Sequence, residues 1–221
     1  MTEPNEAMQR LHVPDRVRRL PVSDTGYYLP WFVATNRETG VRDIRIADPR
    51  KKITAMQRSL CWVCGEPLGR WRAFVIGPMC VVNRVTSEPP CHVECAEFAC
   101  VACPFLTKPR MRRNDKNLPD TIEDAPGIAI ARNPGVACLY VTASYAPFKV
   151  GRGADEFLIR LGDPLRVAWY AEGVPATREQ VQASIDGGFP LLMAEAVKDG
   201  SDAVAELGRY RAVAERLLPC Q

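Results

Sequence analysis

Two pairs of metal-binding side chains open the question of what this chain does: Cys61-Trp-Val-Cys64, followed by Gly65, and His92-Val-Glu-Cys95, with 27 residues between Cys64 and His92. Thiolate sulfur and imidazole nitrogen are the preferred donors for zinc, and two such pairs on tight turns can close around one ion. Gly65 lets the chain fold back after the first pair, in the form of a zinc knuckle. The i, i+3 spacing puts His92 and Cys95 on one helical face, one turn apart. Four N/S donors leave no open position for a reactive water. Cys61, Cys64, His92 and Cys95 therefore point to one structural Zn2+. A lone C-x2-C in a reducing compartment reads as well as a redox pair, and the second half-site decides for metal.

The elements that must position these donors follow from the intervening sequence. Trp71–Ile76 and Met79–Val85 flank Gly77-Pro78 and predict a short hairpin, and Pro89-Pro90 opens the helix that carries His92 and Cys95. Knuckle, hairpin and helix in that order are the layout of a treble clef, and C-x2-C…H-x2-C resembles LIM-type ligand order. Three other chemistries share these residues. His92-x-Glu94 with Cys100-x2-Cys103 looks like a zinc-deaminase signature, but only five residues separate Glu94 from Cys100 and no proline precedes the cysteine pair. Cys95-x4-Cys100-x2-Cys103 has the plant-type ferredoxin spacing, yet its intervening residues are helix formers and Cys61/Cys64 would go unused. An HNH-type nuclease needs a histidine base, and His12 is the one histidine left once His92 binds metal. Cys80, in an apolar strand, and Cys138, in "VACLYV", read as small buried side chains. Cys91 is expected to point away from the ligand face. Cys100 and Cys103 pack the helix, a second metal held with Cys80 or Cys91 being the alternative. Cys220 is a near-terminal thiol.

Directly after this region, Lys108, Arg110, Arg112, Arg113 and Lys116 place five cations in nine residues. Guanidinium forks suit phosphate, so the run is a candidate nucleic-acid contact; the bland reading is a solvated loop paired with acids elsewhere. Charge is unevenly distributed in the same sense. Residues 1–120 carry 19 Lys/Arg against 13 Asp/Glu, while residues 121–221 carry 10 against 13. No Walker loop, dinucleotide fingerprint or nucleophile elbow accompanies the basic run. Tyr145, Arg152, Asp155 and Arg166 are polar groups of the C-terminal half that fall in no motif.

The remaining elements are legible in outline. A Pro-punctuated polar arm (1–24) precedes a hairpin of Tyr27–Ala34 and Val41–Ile46 turning at 36–40, and Asp48-Pro49 caps a short helix. Residues 107–127 read as a linker, giving regions 1–118 and 119–221. Strands are predicted at 127–131, 136–145 and 166–170. Three C-terminal helices follow: one opened by the Thr177/Gln180 capping box and closed at Gly187-Gly188, one from Pro190 to Gly200, and one capped by Ser201 or Asp202 and stopped before Pro219. The class is α+β: a treble-clef-type module with β-hairpins in the N-terminal half, then a small sheet and three helices. Hydrophobic residues at 47% with 25% charged indicate a globular chain. No secretory segment or membrane span is visible, so the cytoplasm is expected, with thiols kept reduced.

The runs "LCWVCGEPLG", "AFVIGPMC", "EPPCHVECAEFA", "CPFLTKPRMRR", "RNPGVACLYVT", "PFKVG" and "WYAEGVPATREQVQASIDGGFPLL" resemble a family of uncharacterised bacterial and bacteriophage proteins, from about residue 26 onward. The resemblance implies that both halves form one unit and that the cysteine site binds zinc. It brings no activity with it. The expectation is a zinc-binding protein associated with nucleic acid or a nucleoprotein. The alternatives are a protein-interaction or phage accessory factor that docks through its C-terminal helices, and an enzyme of unrecognised type.

Overall fold

Prolines and glycines cut the first 175 residues into short segments, and the computed structural model, which describes residues 2–36, 39–108 and 133–220, has correspondingly short elements there. In the arm, α1 (Glu6–Gln9) is capped by Asn5, whose side chain accepts from the Met8 N–H, and α2 (Asp15–Arg18) follows Pro14. Each is a single turn that inserts one apolar side chain, Met8 or Val17. The first hairpin forms as expected with shorter strands, β1 (Val33–Thr35) antiparallel to β2 (Arg42–Ala47). Asp48 caps α3 (Pro49–Arg58) by accepting from the Arg50 N–H, with Pro49 in the first turn, where its missing N–H costs nothing.

The hairpin expected across Gly77-Pro78 does not form. β3 (Arg72–Ile76) is followed by a helix, α4 (Pro78–Asn83), because Pro78 cannot donate to a ladder but suits a first helical turn. α4 then turns Val81 and Val82 inward. The chain continues through β4 (Val85–Thr86), α5 (Val93–Ala102) and α6 (Pro104–Thr107). The partner of β3 comes from far along the chain: β5 (Ala137–Thr142) runs antiparallel to it, with Phe74 opposite Tyr140 and Ile76 opposite Cys138. Every residue of β5 is buried, as befits its unbroken apolar run.

Beyond β5 come β6 (Tyr145–Lys149), β7 (Phe157–Leu161), β8 (Pro164–Ala171) and β9 (Val174–Pro175). They complete one sheet of order β3-β5-β8-β9 and a smaller one of order β4-β7-β6. The C-terminal helices are α7 (Arg178–Asp199) and α8 (Ser201–Glu215), two rather than three. The capping box at Thr177 and Gln180 is formed in both directions. Gly187-Gly188 does not end the helix, and Pro190 lies inside it. The reason is tertiary: a Cβ on Gly188 would meet the Met79 side chain at 2.8–3.1 Å, so this glycine admits α4 against α7. That packing outweighs the propensity lost at Gly and Pro. Gly200, at φ 105°, separates the two helices and takes the capping position expected of Ser201 or Asp202.

Because side chains alternate along a strand, β5 serves two cores. Cys138 and Tyr140 join Phe74, Ile159, Val181 and Ile185 under α4, α7 and α8. Leu139 and Val141 face the other way, toward Val17, Trp62, Cys95 and Phe98. The α+β class holds, with small sheets, a hairpin in the N-terminal half and helices at the C-terminal end. The expected 118/119 boundary and the 127–131 strand lie outside the described residues. Among the described residues no helix is long and apolar enough to cross a membrane.

Candidate metal centre

The knuckle is built by backbone. Gly65, at φ 77°, returns its N–H to the Cys61 carbonyl at 2.8 Å, and the Cys61 N–H reaches the Glu66 carbonyl at 2.8 Å. Leu60 and Pro67 form a bridge that closes the loop. The second half-site begins at His92, the N-cap of α5, and Cys95 is the third residue of that helix. Its unpaired first-turn N–H groups add partial positive charge where thiolates collect. Pairing of Ala73 with Cys91, and a Trp62 N–H to Pro90 carbonyl bond of 3.0 Å, hold the two halves in register.

All four expected donors converge: Cys61, Cys64, His92 and Cys95 offer donor atoms that lie within 4.8 Å of one another. His92 Nδ1 is 3.4 Å from Cys64 Sγ and 3.8 Å from Cys95 Sγ. Tetrahedral zinc with ordinary Zn–S and Zn–N bonds sets its donors about 3.5 to 3.8 Å apart, so the set fits. His92 Nε2 lies 3.0 Å from the Pro67 carbonyl oxygen. A carbonyl can only accept, so Nε2 carries the proton and the lone pair of Nδ1 is left on the side of Cys64 and Cys95.

The thiols make the same demand for a cation. Cys61 accepts N–H bonds from Cys64 at 3.5 Å and His92 at 3.4 Å. Thiol donation by Cys64, with Cys91 and Cys95, drives its pKa far down, despite burial. The negative charge on Cys61 pushes Cys64 up to about 11, and Cys61 with Cys64 pushes Cys95 upward. A divalent ion among the three sulfurs would favour the thiolate form of each.

Cys91 corrects one expectation. Its buried thiol faces Cys61 and is held protonated by that neighbour, although it stands outside the four-donor group. Cys80 sits on helix α4, not on a strand. Cys100 is buried in α5 and pushed up to about 12 by desolvation. Cys103 caps the end of α5. Among the described residues no second cluster of three or more His, Cys, Asp or Glu could hold an ion. Both halves of the deaminase-like pattern lie on or at the end of the single helix α5, with Cys100 outside the cluster.

Other side chains around the centre carried no sequence signal. Arg16 donates from Nε to Glu94 at 2.8 Å and from its terminal nitrogen to Glu66, and Arg19 donates to the other oxygen of Glu66. Arg19, then Arg16, holds the Glu66 carboxyl below its ordinary range. Nothing local in the arm announces partners at positions 66 and 94.

Lys108 is exposed, whereas Arg110, Arg112, Arg113 and Lys116 lie outside the described residues. The described residues on either side of 109–132 meet. Asn133 Nδ2 donates to the carbonyls of Phe105, Leu106 and Lys108 at 2.6, 3.3 and 3.1 Å. Elsewhere the Arg70 guanidinium lies 4.7 Å from the centroid of the Trp71 ring, and Trp71 is 43% exposed. Of the polar residues of the C-terminal half, Arg166 pairs with Glu97 at 2.7 Å and the Asp155 carbonyl accepts from Lys52. Comparison of the chain with protein-family models, with curated proteins and with solved structures gives no match.

Proposed function

We propose that Cys61, Cys64, His92 and Cys95 hold one structural Zn2+ that joins the knuckle to the start of α5, and that the protein acts by binding. The observation that carries the metal is the convergence of three sulfurs and one lone-pair-bearing Nδ1 within 4.8 Å. Sulfur-rich tetrahedral donor sets select zinc over the oxygen-loving Mg2+ and Ca2+. When bound, the ion supplies positive charge and a rigid cross-link between knuckle and helix, and its filled shell leaves no seat for a reacting water. The reading also suits a reducing compartment such as the cytoplasm, where the thiols stay available.

Nucleic acid, or a nucleoprotein assembly, is the partner this reading favours. It rests on the cation run from Lys108 to Lys116, on the basic first 120 residues, and on the exposed Arg70–Trp71 pair, a stacking surface of the kind that takes bases. Contact by Arg110, Arg112 and Arg113 is to phosphate and not to base edges. Replacing all three with Ala should then lower the slope of log affinity against log salt by about 2 to 3 on duplex DNA, with the fold intact. Absence of DNA or RNA binding by the intact protein at low salt removes the reading.

A second reading, docking of a protein partner in a bacterial or bacteriophage assembly, rests on Leu191 and Val197, which stand 52% and 62% exposed on α7. Pull-down with and without nuclease separates the two. Partners lost on nuclease treatment favour nucleic acid; partners retained favour α7.

A further inference from the structure

The two half-sites are distant in sequence, and a third segment reaches both. Arg16, on α2 of the N-terminal arm, forks between Glu94, which stands between His92 and Cys95, and Glu66, two positions after Cys64. Each carboxylate is therefore covalently close to a donor of one half-site. Arg19 holds the other oxygen of Glu66. Farther along, the Trp31 N–H donates to the Val63 carbonyl at 2.7 Å, and the indole covers the knuckle turn. A Cβ at Gly65 would lie 2.5–2.9 Å from the Trp31 ring, so no larger residue fits beneath it. Phe32 stacks on Trp62 with centroids 4.8 Å apart. Met8 and Val17, 3% and 1% exposed, enter the same apolar cluster as Cys61 and Cys95.

We propose that the arm, residues 5–32, is a strap that docks on the metal-loaded centre, and that Arg16 is a positioning residue joining the two half-sites. This inference rests on the metal reading above. The ion pairs alone do not hold the strap, since the side chains of Arg16, Glu66 and Glu94 are 37%, 33% and 53% exposed and water screens them. Apolar anchors hold it, and the fork makes its docking depend on the separation of the half-sites, which the ion sets. Such coupling is reciprocal: what the metal does for the strap, the strap does for the metal by the same factor. The strap also forms one wall of an apolar cavity of about 400 Å³, with Val17, Leu20 and Tyr28 facing Trp62, Cys91 and Phe98. Loss of the ion would free that wall and expose the apolar lining of the cavity.

The test uses the full chain loaded with Zn2+, following ion release to a colorimetric chelator and hydrogen exchange of residues 5–32. Arg16→Gln should release Zn2+ about 10-fold faster, at the low end of what outer contacts to a metal site contribute. Arg16→Lys should fall between it and wild type, because an ammonium lacks the planar fork. Removing the ion from wild type should speed exchange in residues 5–32 while β5 and α7 stay protected. Wild type that takes up no Zn2+ overturns the metal reading and the strap together. Wild type that takes up Zn2+, with Arg16→Gln releasing it at the wild-type rate and arm exchange indifferent to the ion, overturns the strap alone. Uniform loss of protection across the chain on ion removal overturns it as well.

Discussion

Cys61, Cys64 and Cys95 crowd around His92 with their donor atoms within 4.8 Å, while Cys138 and Cys100 lie buried in apolar packing without a donor set around them. Burial opposes ionisation of a thiol in both regions. At the metal centre, N–H and S–H donors aimed at one sulfur overcome it, and Cys61 is driven downward. Cys138, in the core under α7 and α8, and Cys100, in the apolar cluster of the four donors but outside their group, have no such donors, and desolvation pushes both upward. The same residue type is a ligand in one place and a small hydrophobe in the other, and what distinguishes them is the neighbours, not depth. The cores differ accordingly. One is held by aromatic and aliphatic packing under two long helices; the other is assembled from single turns, a knuckle and the N-terminal arm around the four donors.

The sharpest way to break this comparison is to remove ligands. Cys95→Ser and His92→Ala should yield zinc-poor, aggregation-prone protein, since the free energy of zinc binding goes into ordering the knuckle, the start of α5 and the arm. Cys91→Ser and Cys100→Ser should keep one zinc per chain and lose about 1 to 3 kcal/mol. Elemental analysis of all four decides; zinc loss in Cys100→Ser equal to that in Cys95→Ser contradicts the division.

A cut on the packing side should do the converse. Phe74→Ala removes a ring that is 1% exposed between the sheet and Tyr145. It should cost about 3 to 5 kcal/mol in a denaturant titration while metal content stays at one per chain. Loss of zinc in parallel would mean that the two cores are one cooperative unit.

At the seam between knuckle and strap, Gly65→Ala places a Cβ at φ 77° against the Trp31 ring. Backbone strain of about 1 to 3 kcal/mol is expected, together with faster release of Zn2+ to a chelator. Release at the wild-type rate would show that Trp31 covers the knuckle without supporting it.

The smallest effect concerns alkali. Cys100 in the folded chain titrates at about 12, against an ordinary thiol value of 9.0. Below pH 9 folded and unfolded chains both hold this proton and its contribution is complete. Above pH 9 the unfolded chain loses it first, so stability falls until pH passes about 12, by up to about 1.4 kcal/mol per pH unit. Cys100→Ala should flatten this part of the curve relative to wild type, measured by thermal melts between pH 9 and 11. Parallel curves for the two proteins would place Cys100 in a more polar setting than its burial indicates.

What the sequence determined by itself about this protein is what short spacing can encode. Cys-x2-Cys with a following glycine, and His-x2-Cys at a helix start, pick out the four side chains that converge, because three-residue spacing leaves them little choice of direction. The Thr177/Gln180 box and Asp48-Pro49 mark helix starts through hydrogen bonds within one turn. Tertiary structure alone decided the rest. That β3 pairs with β5 depends on a strand supplied from beyond residue 133. That Gly188 lies within α7 goes with Met79 filling the space its side chain would take. That Arg16 spans Glu66 and Glu94, and that Cys91 turns toward Cys61, are contacts between segments whose meeting no local pattern records. Their free energies come from surfaces that exist only once the distant parts have been brought together.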